Sequence, residues 1–290
     1  MTTIEAHERR IGASLVAPAL LLLAAVLLLP QAHALVLSFF EEGRFVGLKH
    51  YGAIFASTDR ARPIVNTLVF TVASVAVSLL LGFGIAMLLH SRQHARRLVR
   101  SLAIAPFVIP PIVGAFAWKM MLDPNFGILN YFLTWVGVPM GRIEWLSDPT
   151  LAMATVVLAD VWMNTPFVML VILAGLQNLP RSPFEAAAID GASAWLILRR
   201  VLLPLLAPSI LVAVIFRTVF ALREFATIWV MTQGGPVNAT YVLSMDVYRN
   251  LFLYFREGMS AAVGLVMLLL TLVLTLPLML KLYRVSVARA

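Results

Sequence analysis

The chain has 290 residues, of which 61% are apolar and only 12% charged, with a net charge of +8. Soluble domains average about 45–50% apolar and about 25% charged, so this composition excludes both a water-soluble enzyme and a disordered chain. Cysteine is absent, which removes disulfides, thiol nucleophiles and Cys-based metal sites.

A helix needs roughly 20 apolar residues to cross a bilayer. Six stretches qualify, at about 11–40, 64–89, 101–122, 151–176, 201–222 and 259–280. All are helical by length, because barrel strands alternate over about ten residues. In the first, Arg9-Arg10, an apolar run and Ala32-His33-Ala34 have the order of a cleavable secretion signal. The run far exceeds the usual core of about 7–15 residues, so a retained helix is expected. The first, second and sixth stretches carry no charged residue; the third carries only Lys119, the fourth only Asp160 and the fifth only Arg217. Pro106, Pro110, Pro111 and Pro166 interrupt the third and fourth, which neighbouring helices can tolerate.

Six spans put both termini on one side. If that side is the cytoplasm, the inner pieces 1–10, 90–100, 177–204 and 281–290 hold 12 Lys or Arg in 59 residues. The outer pieces 41–63, 123–150 and 223–260 hold 8 in 89. The doubled inner density favours cytoplasmic termini, with Arg92, Arg96, Arg97 and Arg100 the strongest local cluster. The basic excess thus reads as membrane flanks rather than a nucleic-acid surface.

Between the fourth and fifth spans, 181–204 reads as an ordered cytoplasmic element. Ser182 is placed as N-cap, Pro183 as first helical residue and Glu185 as third, a capping box with a proline start. Ala186, Ala187 and Ala188 propagate a helix of little bulk, Gly191 allows a bend, and a second apolar-basic helix runs to Leu203 before Pro204. Such a helix suits a groove on another protein, or equally the surface of the lipid.

Charges at bilayer depth default to functional roles. Asp160, Met163, Asn164 and Phe167 fall at i, i+3, i+4 and i+7, and Arg217, Ala221 and Glu224 at i, i+4 and i+7, each set on one helical face. Two polar stripes aimed inward would bind hydroxyls, with carboxylate and guanidinium forming charge-assisted bonds and Phe167 packing on a ring. The alternative is that Arg217 or Lys119 pairs with Asp160 to neutralise buried charge. Near-balanced charge favours a neutral sugar, polyol or small oligosaccharide, with a phosphorylated or sulfonated sugar held by Arg217 as the minority option. Trp135, Trp145, Tyr131 and Tyr51 read as interface anchors. The cluster Gly234, Gly235 and Pro236 reads as an outer gate, a contact for an external protein, or a plain tight turn. No G-x-x-x-x-G-K-[ST] loop or H-E-x-x-H motif occurs. A membrane enzyme would need a catalytic cluster, which is not evident. A secondary transporter, with Asp160 or Glu224 carrying protons, would usually show an internal repeat, and none is evident.

The string Glu185-Ala186-Ala187-Ala188-Ile189-Asp190-Gly191-Ala192-Ser193, followed by Leu203-Pro204 and Pro208, resembles the EAA loop of permease subunits of binding-protein-dependent ABC importers. Trp118 with Gly127-Ile128-Leu129-Asn130, Val161-Trp162 with Thr165-Pro166-Phe167, Ala174-Gly175-Leu176-Gln177, and Thr232 with Gly234-Gly235-Pro236 resemble the carbohydrate-uptake, MalF-like branch. The chain departs from the enteric maltose subunit in lacking extra N-terminal helices and a large periplasmic insert, and in having Arg223-Glu224-Phe225 where many relatives carry an Asp or Asn pattern.

The resemblance implies an all-α, six-helix, type I (MetI-like) transmembrane domain spanning 1–290, in a bacterial inner membrane. It implies that Phe184, Glu185, Ala186, Ala187, Asp190 and Gly191 couple to a cytoplasmic ATPase through a helix over about 183–198. It also places Asp160, Met163, Asn164, Phe167, Arg217, Ala221 and Glu224 at the sugar site. The implied partners are two copies of the ATPase, a second MalG-like permease, an external solute-binding protein and the carbohydrate itself. No cofactor is expected on this chain; ATP and Mg would sit on the ATPase subunits.

Overall fold

The computed structural model describes residues 3–91, 96–137 and 143–287, with side chains over 15–90, 100–137 and 143–287. Arg92 and the side chains of Arg9, Arg10, Arg96 and Arg97 lie outside the described residues. In chain order the helices begin with α1 (Thr3–Leu37), then after a short hairpin α2 (Lys49–Phe55), α3 (Thr58–Ser91), α4 (Arg96–Val108), α5 (Pro111–Met121) and α6 (Ile128–Trp135). They continue with α7 (Pro149–Gln177), α8 (Ser182–Ile189), α9 (Ala194–Ile197), a π-helical turn (Leu198–Leu202), α10 (Leu203–Leu222) and α11 (Ala226–Thr232). α12 (Leu243–Tyr248), a second π-helical turn (Arg249–Leu253) and α13 (Glu257–Val287) complete the chain.

Five helical runs are long and apolar enough to cross a membrane: Leu15–Leu37, Thr58–His90, Pro149–Gln177, Ala194–Leu222 and Glu257–Val287. The third expected span, 101–122, is a broken one. Its halves, Arg100–Val108 and Pro111–Met121, meet at 99°. The cause is Pro110-Pro111: a residue before proline is pushed out of the helical region, and Pro110 is extended at φ −54°, ψ 134°. Counting that pair as one crossing gives six spans.

The chain separates into two compact units, Met1–Arg60 with Val247–Val266, and Ala61–Asp246 with Met267–Ala290. In the first unit α1 runs into a two-stranded hairpin, β1 (Phe40–Glu41) and β2 (Arg44–Phe45), in register Phe40 to Phe45 and Glu41 to Arg44. Its two-residue turn, Glu42 and Gly43, has φ of +49° and +79°, the left-handed pair that matches strand twist. α2 is pinned beneath it. Tyr51 donates to Ser38 Oγ at 2.8 Å, the buried His50 ring lies 3.2 Å from the Phe40 carbonyl, and Lys49 pairs with Glu41. That ammonium holds the Glu41 carboxyl below its ordinary value, chiefly by hydrogen bonding. A side chain at Gly258 would meet the Phe40 carbonyl and, at 2.8 Å, His50 Nε2, so glycine is required there.

In the second unit α7 is the axis, with buried residues on every turn from Ala152 to Leu176. One apolar core gathers Phe70, Ala115, Val156, Val161, Ala221 and Met231; another gathers Ala86, Met169, Ile172, Leu173, Leu206 and Ala213. α4 and α10 pack on α7, while α5 packs chiefly on α11. Small residues let backbones approach, the usual device where lipid supplies no hydrophobic drive. An added Cβ at Gly82 would lie 2.7 Å from Val168 Cγ1, and one at Gly175 would run into Ser209 and lie 2.9 Å from Leu206.

α7 starts at a true cap. Asp148 accepts from the N–H groups of Thr150 at 2.7 Å and Leu151 at 3.1 Å and from the Thr150 hydroxyl at 2.5 Å. These donors, the Thr150 hydroxyl foremost, hold its carboxyl below the ordinary 3.8. Because the folded value is the lower one, the stabilisation is complete above the unfolded value and is lost as pH falls through the folded one. Asp148→Asn should therefore flatten the acid limb of a stability-against-pH curve while leaving neutral stability nearly unchanged, since Asn also caps well. Thermal unfolding of wild type and variant across that acid range measures it.

Candidate functional site: a buried polar network and an exposed loop

Three helices contribute to one polar network within the membrane-spanning bundle. α3 supplies Ser74 and Ser78, α7 supplies Asp160 and Asn164, and α10 supplies Arg217; the first two pairs are spaced i, i+4 and so share a face. Asp160 is 0% and Arg217 1% exposed. Arg217 Nη2 pairs with Asp160 Oδ2, and both atoms also bond Ser74 Oγ. Asn164 Nδ2 donates to Asp160 Oδ1 at 2.9 Å and to the Asp160 carbonyl at 3.0 Å, while Arg217 Nε reaches Ser78 Oγ at 3.5 Å. An ion pair with further hydrogen bonds to each partner is how a bundle tolerates charge at this depth. Of the two pairing options for Asp160, the structure selects Arg217. Lys119 instead donates to the Val230 carbonyl at 3.1 Å.

The remaining residues of the two stripes divide by exposure. Met163 and Ala221 are buried in packing contacts, whereas Asn164, Phe167 and Glu224 are half-buried. Glu224 Oε1 accepts from the Thr227 N–H at 2.8 Å at the entry to α11. Phe167 is the centre of an aromatic group, with ring centroids 5.6 Å from Phe220, 6.1 Å from Phe107 and 6.2 Å from Phe216. Phe107 and Phe216 are 43% and 51% exposed. Ser74, Ser78, Phe107, Phe216 and Phe220 were not singled out from the sequence. The i, i+4 serines in a charge-free span, and Phe216 and Phe220 flanking Arg217, were the available signals.

The loop after α7 forms a second feature. α8 begins at Ser182, not after it: the N-cap is Arg181 and no side chain caps the helix, so the expected capping box is not formed. The helix gains instead from Pro183 in its first turn and from its alanines. No residue of α8 is buried. Glu185, Ala186, Ala188, Ile189 and Asp190 are exposed, Ile189 to 86%. Phe184 and Ala187 are half-buried, and Phe184 packs against the second core, rooting the helix. Gly191, at φ +70°, closes it, with Gly191 N–H bonded to Ala188 O at 3.1 Å and Ala192 N–H to Ala187 O at 3.0 Å. Ser193 then caps α9, accepting from the Leu196 N–H at 3.4 Å. The helix expected to stop before Pro204 does not stop. It passes without a break through the π-helical turn, where the Leu203 N–H bonds the Leu198 carbonyl, into α10, with Pro204 as the second residue of α10.

On the other side of α11, Gly234 (φ +87°) and the cis Gly235–Pro236 bond shape a loop that is tied down throughout. Thr240 Oγ1 donates to Gly235 O at 2.8 Å, and Asn66 Nδ2 reaches the carbonyls of Asn238 and Tyr241 at 2.9 Å each. Beside it Lys119, Asp123, Ser147 and Thr232 help to line a cavity of about 410 Å³. Of the anticipated interface anchors, Tyr131 and Trp135 are each 75% exposed. Trp145 instead donates to Asn130 Oδ1 at 2.9 Å.

Residues 62–279 match the family described as binding-protein-dependent transport system inner membrane component. The chain belongs to this family. This permease component is 34% identical over 276 residues to the trehalose/maltose transport system permease protein MalF of Thermococcus litoralis, covering 93% of this chain and 92% of that one. It is 32% identical over 279 residues to the sulfoquinovosyl glycerol transport system permease protein SmoG of Agrobacterium fabrum, covering 94% and 90%. The solved bacterial alginate ABC transporter, in complex with an alginate pentasaccharide-bound periplasmic protein, contains a chain similar to this permease at TM-score 0.81 and 22% identity, with 95% of each chain covered. That likeness establishes the fold, the all-α transmembrane domain of an ABC importer, as the sequence led one to expect. Family membership makes the chain a permease and not an enzyme, with ATP hydrolysed by a separate subunit.

Proposed function

We propose that this permease carries a sugar or sugar derivative, delivered by an external solute-binding protein, through a membrane-embedded path that it forms with a second, MalG-like permease. The observation that carries the reading is the pairing of an exposed, rooted α8 with a half-exposed aromatic and amide surface on α7 and α10. The first is a docking element and the second suits carbohydrate, whose rings stack on Phe and whose hydroxyls bond Asn and carboxylate. Support for sugar also comes from relatives named for trehalose, maltose and sulfoquinovosyl glycerol.

In this reading Asn164, Phe167 and Glu224 face the solute, with Phe216 and Phe220 extending the stacking surface. Met163 and Ala221 shape its floor, and Asp160 and Arg217 support it from behind. Phe184 roots the coupling helix. Glu185, Ala186, Ala187, Asp190 and Gly191 present or aim its face towards one of two ATPase subunits, where ATP and Mg bind. Both termini are cytoplasmic, in keeping with the basic inner segments. ATP-driven closure of the ATPase pair would turn the cavity outward, a shift that needs contacts differing between the two states. The SmoG relative favours a second reading for the cargo, a sulfonated glycoside.

Solute-stimulated ATPase activity of the purified complex over a panel of disaccharides, polyols and sulfonated glycosides tests this. Asn164→Ala and Phe167→Ala should each raise the half-stimulating solute concentration about tenfold, the loss of roughly one good hydrogen bond or stacking contact. Basal hydrolysis should persist. An unchanged solute response in both would remove the site assignment.

A further inference from the structure

The first compact unit holds a cavity of about 750 Å³ that is lined by none of the residues proposed to contact solute. Its apolar lining comes from the last turn of α1, Val36 and Leu37, from Ala53 of α2, and from Phe255 and Met259 around the start of α13. Its polar lining comes from the hairpin, α2, Arg60 in the first turn of α3 and the chain on either side of α13's start. Lys49 and Glu41 neutralise each other there. That leaves two guanidiniums, Arg60 and Arg256, and two carboxylates, Glu42 and Glu257, with no ion pair among the described residues. The wall is preformed, because His50 and Gly258 pack against the Phe40 carbonyl.

Two properties define the occupant. The end of α1 and the start of α13 are termini of membrane-spanning helices, and with six spans both fall at the same face of the bilayer, so the cavity sits at headgroup level. Exposed aromatics surround that level: Phe45 is 71%, Phe55 61%, Tyr254 55% and Phe255 81% exposed, the pattern of a protein surface anchored at a lipid–water boundary. The charge inventory is balanced, which disfavours a purely anionic ligand and matches one that carries a phosphate and an ammonium together. We propose that this cavity binds the phosphoethanolamine headgroup of a membrane phospholipid, with Arg60 and Arg256 on the phosphate, Glu42 and Glu257 on the ammonium, and the apolar floor under the glycerol and first acyl carbons. The proposal rests on the six-span reading but not on the identity of the solute.

Native mass spectrometry of the assembled transporter, loaded with defined mixtures of phosphatidylethanolamine and phosphatidylglycerol, tests it. Wild type should retain phosphatidylethanolamine preferentially. Arg60→Ala with Arg256→Ala should cut retention of both lipids about 25-fold, at about fivefold per basic side chain near a headgroup. Glu42→Gln with Glu257→Gln should reverse the preference towards phosphatidylglycerol, a change that a merely structural role would not produce. Soluble phosphoethanolamine should fail to compete at concentrations where the lipid saturates; effective competition would make the ligand a free metabolite and overturn the lipid assignment. Equal lipid retention by wild type and both double variants would also overturn it. So would unchanged lipid retention combined with weaker stimulation by the external binding protein, since the cavity would then be that protein's docking face. Solute-stimulated ATPase activity of the same preparations reports separately on the transport reading.

Discussion

Arg217→Leu is expected to destabilise the protein by about 3–5 kcal/mol, the cost of stranding a buried partner charge. Asp160 is fully enclosed and has Arg217 as its only ion-pair partner among the described residues. With the guanidinium gone, Ser74 and Asn164 still donate to the carboxylate, but neither carries charge, so the carboxyl must take up a proton or draw in water. Asp160→Leu should cost a similar amount by stranding the guanidinium beside Ser74 and Ser78. Asp160→Leu combined with Arg217→Met should recover most of the loss, because apolar residues of similar volume often replace a buried pair at little cost. Thermal unfolding of the four purified proteins gives the coupling energy directly. Strictly additive losses would show that the pair does not act as a unit. The double variant also separates support from solute contact: it should keep its half-stimulating solute concentration nearly unchanged, whereas truncating the residues proposed to touch the sugar should raise it about tenfold.

The second large effect is expected at α8, the proposed coupling helix. Ile189→Glu should weaken association with the ATPase subunit by about 2 kcal/mol or more, the cost typical of losing a buried interface anchor, which is about 30-fold in affinity. Ile189 is the most exposed large apolar side chain of α8, at 86%, and no residue of α8 is buried among the described residues. Placing a charge there costs the isolated permease almost nothing, so membrane insertion and unfolding temperature should not change. Gly191 provides a graded control. Among the described residues beyond its chain neighbours no atom lies within 4 Å of a Cβ added there, so its substitution meets the strain of φ +70° rather than a clash. Gly191→Ala should therefore cost about 1–2 kcal/mol locally and loosen coupling mildly. Gly191→Leu should misalign the helix more, through its bulk at the partner surface. Pull-down of the ATPase by each variant, with transport measured in parallel, checks the order. Full coupling in Ile189→Glu would remove α8 from the interface.

Much of the membrane architecture was legible because hydropathy over 20 residues is a local property. Where the sequence leads one to expect spans at 151–176 and 259–280, α7 runs over 149–177 and α13 over 257–287. The right-angled break in the third was not anticipated. Pro110-Pro111 announced an interruption, but its angle depends on α4 packing against α7 while α5 packs chiefly against α11. At Ser182 the capping pattern was present and the capping bond was not, because the helix started one residue early. Gly191 behaved as its residue type requires, since a left-handed turn is a local demand that glycine meets without strain.

The polar stripes show where local reading stops. Spacing of i, i+3, i+4 and i+7 places side chains on one face of a helix, but a face has two edges, and only the neighbouring helix decides which is sealed. α3, which carries no charge over 64–89, supplies Ser74 and Ser78 and so turns Asp160 and Arg217 inward to each other. Asn164 and Phe167, on the same face of α7, remain partly open. The sequence by itself determined that the chain lives in a membrane, that it carries several apolar spans, and that an alanine-rich helix ending in glycine stands outside the bundle, because each follows from composition or backbone preference within one segment. The tertiary structure alone decided which buried charges are partners and which side chains are left facing open space, because the cost of an unpaired charge in a low-dielectric interior is settled by residues far away in the chain.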